Sequence, residues 1–452
     1  MRIARQALVT PPHNSVFATG AVALSIIVFA YSGLLGPIAV LAYYAVWLPL
    51  AFIDKHVWLS RPGDYFLVLA FIAFVLASTL WSPAPAGTMR GALQLLTHLG
   101  CAVIAARVVD GGALTRGMMV GTLVVVLYSL AFGRFAYDVM DESYTFVGAF
   151  GSKNQLALFC SLGIYFSLAL IMTGAGSRLS LVASVIVVAV LGAALVASRS
   201  ATSTISLIIA AVTLIFLLAA LRIRPRTRTA LLLFLLPCFI FAVAVAFQLG
   251  AMDTVLAAFG KDSTLTGRTY LWSQGIAAGN GSPAAGTGYQ AYWLQGSSEA
   301  ERLWEEFYIE NRFGFHFHNT YIEVFVELGY IGLSIYIALL CSILLGLLWH
   351  VATRTNRYAA VLLGVYVLLL IRSFFEVDSL YPYTVGSFLI VFLAVMVRGL
   401  SAKLANLPEQ DLNAAAYPNS FPEASGLSTR QFGFSIPASA AWTFDGDGRT
   451  TT

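Results

Sequence analysis

The stretch FHFHNTYIEVFVELGYIGLS, residues 315–334, sets His316 and His318 just ahead of a long apolar run that itself holds Glu323, Glu327, Gly329 and Gly332. An imidazole titrates near pH 6.5, so a histidine here can take a proton from a hydroxyl at neutral pH. His318 stands at the mouth of the run, facing both the preceding segment and the membrane. Capping the helix, or resting in the headgroup layer, is the competing reading, and position alone favours it. An HxH pair also raises a metal. The two rings would point the same way only on a strand, however, and no cysteine or third histidine is near. The spacing to Glu323 and Glu327 matches no zinc pattern, so the reading is no metal.

Charged groups at a membrane boundary are costly unless they have a task. Those gathered with the histidines are Lys153 in GSKNQ, Arg199 in SRS, Lys261, Arg268, Arg372, Glu376 and Asp378. Cations at the ends of several apolar runs can converge on one polyanionic ligand, or each can snorkel separately to lipid phosphates. The residues alone leave both open. A guanidinium suits a phosphate or pyrophosphate because its planar fork donates two parallel hydrogen bonds and never deprotonates. Arg199 and Arg268 are the foremost candidates, Arg199 because it lies alone between two apolar runs among small residues, ASRSATS. GNGSPAAGTGY (279–289) is glycine-dense but lacks the Gly-Lys-Ser/Thr ending of a P-loop. It reads as a flexible turn that lets backbone approach a ligand. Gly329 and Gly332 read as small residues that let helices come close in lipid.

The elements that must position these groups follow from composition. Of 452 residues 59% are hydrophobic and only 11% charged, against about a quarter charged in soluble domains. Such a chain cannot clothe itself in a polar surface. Its apolar runs are each long enough to cross about 30 Å of hydrocarbon, and only helices satisfy their own peptide groups there. The fold class is an all-α polytopic integral membrane protein of about twelve transmembrane helices, near 16–32, 36–53, 65–81, 91–108, 117–133, 154–173, 180–197, 201–221, 229–249, 320–349, 358–375 and 381–397. The first run has no small-residue cleavage site after it and reads as a span. With the N-terminus inside, seventeen of the 26 lysines and arginines fall on the inner face or in the tail, the RIRPRTR loop at 222–228 most densely. The positive-inside rule then makes both termini cytoplasmic. The net charge of +4 reflects this bias and argues for no nucleic acid. Cys101, Cys160, Cys238 and Cys341 all lie in apolar runs and read as packing residues.

The organisation that results is spans one to nine over 1–249, a large partly helical outer loop over 250–319, spans ten to twelve over 320–398 and a disordered tail over 399–452. Within the loop, TGRTYLWSQGIAAG (266–279) reads as a helix with Arg268 and Trp272 on one face. SSEAERLWEEFYIEN (297–311) opens on a Ser298-x-x-Glu301 capping box. Its stripe of Leu303, Trp304, Phe307 and Tyr308 suits either a helix at the membrane interface or one that packs on the loop. A transporter of a lipid-linked sugar would bind nearer the midplane, often at broken helices; the ionisable groups here gather instead at the outer face.

His318-Asn319, nine residues, then Gly329-Tyr-Ile-Gly332 resembles the His-Asn-x9-Gly-x-x-Gly pattern of the O-antigen ligase and Wzy-type polysaccharide polymerase superfamily. Thr266-Gly267-Arg268 with Trp272 resembles its Gly-Arg…Trp segment, SPAAGTGY (282–289) its Pro-x-x-Gly-x-Gly turn, and Ser198-Arg199-Ser200 its Ser-Arg-Ser/Gly motif. FGSKNQLA (150–157) is similar to a Lys-Asn segment seen especially in the exopolysaccharide polymerases. The motifs cover 148–335 and stand in the family's order. The first five spans and the tail carry none. The resemblance implies a metal-independent, cofactor-free, inverting glycosyltransferase of the bacterial inner membrane, working on its periplasmic side. Its donor would be an undecaprenyl-diphosphate-linked oligosaccharide and its acceptor a glycan or a lipid, among membrane lipids and other polysaccharide-assembly proteins. Carried over, His318 is the base and Arg199 and Arg268 hold the diphosphate. Lys153, Asn154, Asn319, Glu323 and Arg372 bind substrate or support the site, Glu323 by orienting His318. A polymerase is expected first, an O-antigen ligase with lipid A-core as acceptor second, a flippase last.

Overall fold

The computed structural model describes residues 4–55, 57, 61–138, 143–174, 176–248, 267–312 and 314–405. Lys261, Thr266 and the tail from 406, with its expected disorder, lie outside them. Each of the twelve apolar runs lies on a helix. The first five are α1 (Ser15–Leu35), α2 (Pro37–Ile53), α3 (Phe66–Ala77), α4 (Pro85–Val108) and α5 (Gly111–Phe132). A two-stranded antiparallel ribbon follows, β1 (Arg134–Asp138) paired with β2 (Ser143–Gly148). Then come α6 (Lys153–Thr173), α7 (Arg178–Ser198), α8 (Ala201–Ala220) and α9 (Pro225–Gln248). The loop contributes α10 (Arg268–Asn280) and α11 (Ser298–Glu306). The last three spans are α12 (Thr320–Thr353), α13 (Arg357–Ser373) and α14 (Val385–Ala405), the final helix running past the expected boundary at 398. Among the described residues eight helices are long and apolar enough to cross a membrane, and α2 and Val385–Gly399 are shorter apolar helices. The protein is an all-α, multi-pass membrane protein.

Small polar residues start the helices, as their short side chains can bond the first orphan amides. Asp110 accepts from the Ala113 amide, Ser152 from Asn154, Ser177 from Ser180 and Ser200 from Ser203. Asn319 and Asn356 do the same for α12 and α13. The bundle forms from α1 on α5 and α2, α6 on α5, α7 and α8, and α8 on α13. The helix α12 lies among α3, α9, α13 and α14. At the other end, Arg228 of the RIRPRTR loop is buried. Its guanidinium donates to the carbonyls of Leu221, Ala352 and Arg354 (3.4, 3.2 and 2.9 Å), which are helix-end acceptors.

Gly329 of the long tenth span corrects the sequence reading. Gly329 has φ 61° and ψ −168° and breaks α12 in two. The groups freed by the break are taken up by the glycine-dense turn. The Thr287 and Gly288 amides donate to the carbonyls of Val326 and Glu327 (2.9 and 2.8 Å), and the Tyr330 and Ile331 amides donate to those of Pro283 and Ala284 (2.8 and 3.1 Å). Residues 283–288 therefore clasp the break; they are not a free turn. Gly329 is there because its φ is open mainly to glycine and because Ala284 backbone occupies the space a Cβ would need. Helix-to-helix approach is not its role. Irregular backbone inside a membrane protein persists only where protein covers it, and the clasp is that cover.

The loop helices resolve the remaining alternatives. In α11, Leu303 is buried in a small core with Leu271, Tyr292, Phe317 and Val326, and Trp304 is buried beside Trp293, so these two residues of the stripe pack on the loop itself while Tyr308 is exposed. The capping box does not form: the helix starts at Ser298 after Ser297, and Glu301 reaches back to the Gly296 amide (2.9 Å). Arg268 and Trp272 do share a face of α10, both meeting residues 375–376. Cys101 and Cys160 are buried, whereas Cys238 and Cys341 lie exposed on helix exteriors. His98 near the middle of α4 and Glu327 beside the break in α12 are among the ionisable groups buried within spans.

Candidate functional site

An antiparallel bundle brings alternate helix ends together. One end collects the starts of α6, α10 and α12, the α7–α8 junction, and the connection from α13 to α14. The predicted cations and His318 stand on those ends, and their centre is a residue to which the sequence assigned no role. Glu376, 5% exposed, accepts from Arg268 Nη2 (2.8 Å) and Asn154 Nδ2 (2.7 Å) on Oε1. On Oε2 it faces His318 Nδ1 at 3.2 Å. Burial alone would raise its carboxyl; the Arg268 guanidinium, the hydrogen bond from His318 and the Arg372 guanidinium outweigh that and hold it well below the usual carboxylate range. Glu376 is therefore ionised. A carboxylate only accepts, so Nδ1 of a neutral His318 carries the proton and Nε2 keeps its lone pair. The signal in the sequence was a carboxylate four residues past Arg372, at the boundary where the cations gather.

Of the expected residues, Asn154, Arg268 and His318 touch this carboxylate, and the others lie elsewhere. Arg268 also donates to the Phe375 carbonyl (2.6 Å). Of the five guanidinium N–H groups, two are engaged in these bonds. Asn154 accepts from Ser200 Oγ (2.8 Å), which ties the SRS motif to Glu376. Arg199 itself caps α7 in left-handed conformation (φ 52°) and is exposed. Among the described residues its guanidinium has no ion-pair partner. Asn319 caps α12 and donates from Nδ2 to the Phe374 carbonyl (3.1 Å), fixing His318 against the 374–376 segment. The competing reading of His318 as the cap falls to Asn319. Arg372, 1% exposed, is spent on Asp378 (2.6 Å), Ser203 and the Asn154 carbonyl. Lys153 is buried against Asp138 of β1 (2.7 Å).

Glu323 does not orient the His318 ring. Its carboxylate accepts from the Phe317 amide (2.8 Å), Trp293 Nε1 (2.9 Å) and the Tyr381 hydroxyl (2.6 Å), so it shapes the turn ahead of His318 while Glu376 holds the ring. The two histidines also come together without a strand. His318 takes φ 51°, its amide donates to His316 Nδ1 (3.0 Å), and the ring centroids are 4.3 Å apart. Burial and the neighbouring His318 lower His316 to about 4, so it is neutral at physiological pH. One ligand atom each from His316, His318 and Glu376 lies within 4.8 Å of the others, a proximity that the HxH argument did not foresee. The carboxylate's shortest cationic partner is already Arg268, and a divalent ion there would be set against a guanidinium.

A cavity of about 430 Å³ opens beside this cluster, lined by His316, Glu376 and Arg372 on one side and by Phe159, Trp293 and Tyr381 on others.

A multi-pass helical membrane protein with a histidine, a carboxylate and arginines joined at one end of its bundle is the class these features define. Residues 186–337 match the family described as O-Antigen ligase. The chain is also 46% identical over 405 residues to the "Exopolysaccharide production protein ExoQ" of Rhizobium meliloti (strain 1021), covering 87% of this chain and 91% of that protein. The chain belongs to the O-antigen ligase and polysaccharide polymerase superfamily. With that membership comes a membrane-bound function of the O-antigen ligase or polymerase type.

Proposed function

We propose that the protein is an inverting, metal-independent glycosyltransferase that joins undecaprenyl-diphosphate-linked repeat units into a polysaccharide. It would work on the periplasmic face of the inner membrane, with both termini cytoplasmic. The observation that carries this reading is the shared carboxylate: Glu376 meets His318 at 3.2 Å and Arg268 at 2.8 Å. A base held by a carboxylate, beside a cation that can hold a leaving group, is the machinery of acid–base assisted group transfer. His318 Nε2 accepts the proton of the acceptor hydroxyl, whose oxygen attacks the anomeric carbon. The bond to the diphosphate oxygen breaks with its electron pair leaving on the diphosphate, where Arg268 and the exposed Arg199 meet the charge. Asn154, Asn319 and Arg372 keep these groups in register, and Lys153 secures the start of α6.

The similarity to an exopolysaccharide production protein favours a polymerase. The family description favours the ligase, which would share the donor site and take lipid A-core as acceptor. The size of the glycan on the lipid carrier in cells whose only copy is His318→Ala tests both. Single repeat units are expected of a polymerase that has lost its base. Long carrier-linked chains would mean a ligase, and unchanged polymer would remove His318 from the mechanism.

A further inference from the structure

Glu327 is used by nothing above. It lies beside the Gly329 break, is 1% exposed and lines the cavity. Its Oε2 has no hydrogen-bond partner. Its Oε1 is 3.0 Å from the Tyr381 hydroxyl, which also donates to Glu323 at 2.6 Å. One hydroxyl has one proton, and the shorter contact to Glu323 claims it. Glu327 Oε2 is thus a buried oxygen without a hydrogen-bond partner among the described residues. A buried carboxylate left so is costly, and such a group calls for an explanation in a missing partner.

The walls of the cavity say what chemistry the partner has. Trp293 and Tyr381 present aromatic surface, and both are pinned in place by the Glu323 carboxylate (2.9 and 2.6 Å). Gln155 adds an amide that can both donate and accept. Arg372 on the lining is committed to Asp378, and Arg268 to the Glu376 carboxylate, so the lining offers no unpaired guanidinium to an anion. A diphosphate does not belong here. A neutral group with many hydroxyl donors and flat C–H faces does, which describes a sugar ring. The volume of about 430 Å³ falls in the usual range of ligand pockets, roughly 300–1,000 Å³.

We propose that this cavity is a glycosyl subsite, separate from the diphosphate site, and that Glu327 determines its specificity by accepting hydrogen bonds from sugar hydroxyls. The assignment rests on the transferase reading above. Because His316 and Glu376 also line the cavity, a sugar held there offers a neighbouring hydroxyl to the His318 side of the site.

The test uses the full chain in lipid nanodiscs and, as probe, oligosaccharides from partial hydrolysis of the polysaccharide made by the source strain. Binding is followed by calorimetry and by tryptophan fluorescence. Wild type is expected to bind. Glu327→Gln, which keeps the shape and replaces one oxygen by an amide donor, is expected to bind about tenfold more weakly or worse, as for loss of a buried hydrogen bond. Gln155→Ala, at an exposed position on α6, is expected to weaken binding without lowering the melting temperature. It keeps the proposal testable should Glu327→Gln misfold. His318→Ala is expected to bind like wild type, since His318 is not among the lining residues; its effect falls on carrier-linked glycan size, so failure of the base and failure of the subsite are read separately. The proposal is overturned if wild type does not bind, if both variants bind within about twofold of wild type, or if calcium or ammonium ions occupy the cavity in preference to the oligosaccharide.

Discussion

At the residue scale the centre of the site is one carboxylate with two clients. Glu376→Gln keeps the shape but removes the charge that both Arg268 and His318 draw on. Polymer output in complemented cells should fall by about 10²-fold or more, the scale of a general-base contribution. Protein level should be retained. The depressed carboxyl also has a consequence for stability. A group whose folded pKa lies below its unfolded value of about 4.3 stabilises the fold at neutral pH, and that contribution is lost as pH falls through the carboxylate range and below. Thermal melts of Glu376→Gln should therefore differ most from wild type above about pH 5 and converge toward it in stronger acid. His316 acts with the opposite sign. Neutral in the folded state down to about 4, it is protonated first in the unfolded chain, so stability drains away between about pH 6.5 and 4. His316→Asn should flatten that part of the melting curve against pH; an unchanged slope would contradict the assignment.

At the element scale the clasp between residues 283–288 and the Gly329 break joins two motifs about forty residues apart in the chain. Gly329 and Gly286 both have positive φ, and at each the backbone of the other segment fills the space of a Cβ. Gly329→Ala and Gly286→Ala should each lose at least about 1–3 kcal/mol and melt at clearly lower temperature. Gly20→Ala, where a Cβ meets nothing within 4 Å, should melt like wild type. The helices were legible in the sequence because lipid leaves an apolar run of that length no other structure, and the Arg268–Trp272 face followed from helical spacing. The break was not legible. A glycine pair in an apolar helix reads the same whether it meets a neighbouring helix or gives way to a loop; only the distant amides of 287 and 288 decide. Glu376 escaped for a like reason. A carboxylate near a span end carries no mark of what it touches, whereas Asn154, Arg268 and His318 stood in motifs. The capping box at Ser298 shows the converse: the pattern was present, and the chain began its helix one residue away from it.

At the scale of the whole molecule the charges are divided by end. The site end holds Glu376, His318 and Arg268; the opposite end holds Arg107, Arg116, Arg178, Arg222, Arg224, Arg226, Arg354 and Arg357, as the alternating helices require. The orientation proposed from this bias can be checked with a membrane-impermeant thiol reagent on spheroplasts of a strain carrying a cysteine-free background. Tyr308→Cys, 72% exposed in the loop, should label in intact spheroplasts. Arg222→Cys, exposed at the opposite end, should label only after lysis. The reverse pattern would invert the molecule and, with it, the side on which the chemistry is proposed to occur.

The dispersal of the site along the chain has a consequence in time. Residues 283–288 leave the ribosome before the Gly329 break that they fill, so their amides wait for α12 to arrive. Arg268 is made earlier still, and its partner Glu376 comes after eleven of the twelve spans. No nascent chain holds a working centre: each growing intermediate carries unsatisfied polar groups until its last helical pair is in place. The centre is completed only once the segment that follows α13 has been made.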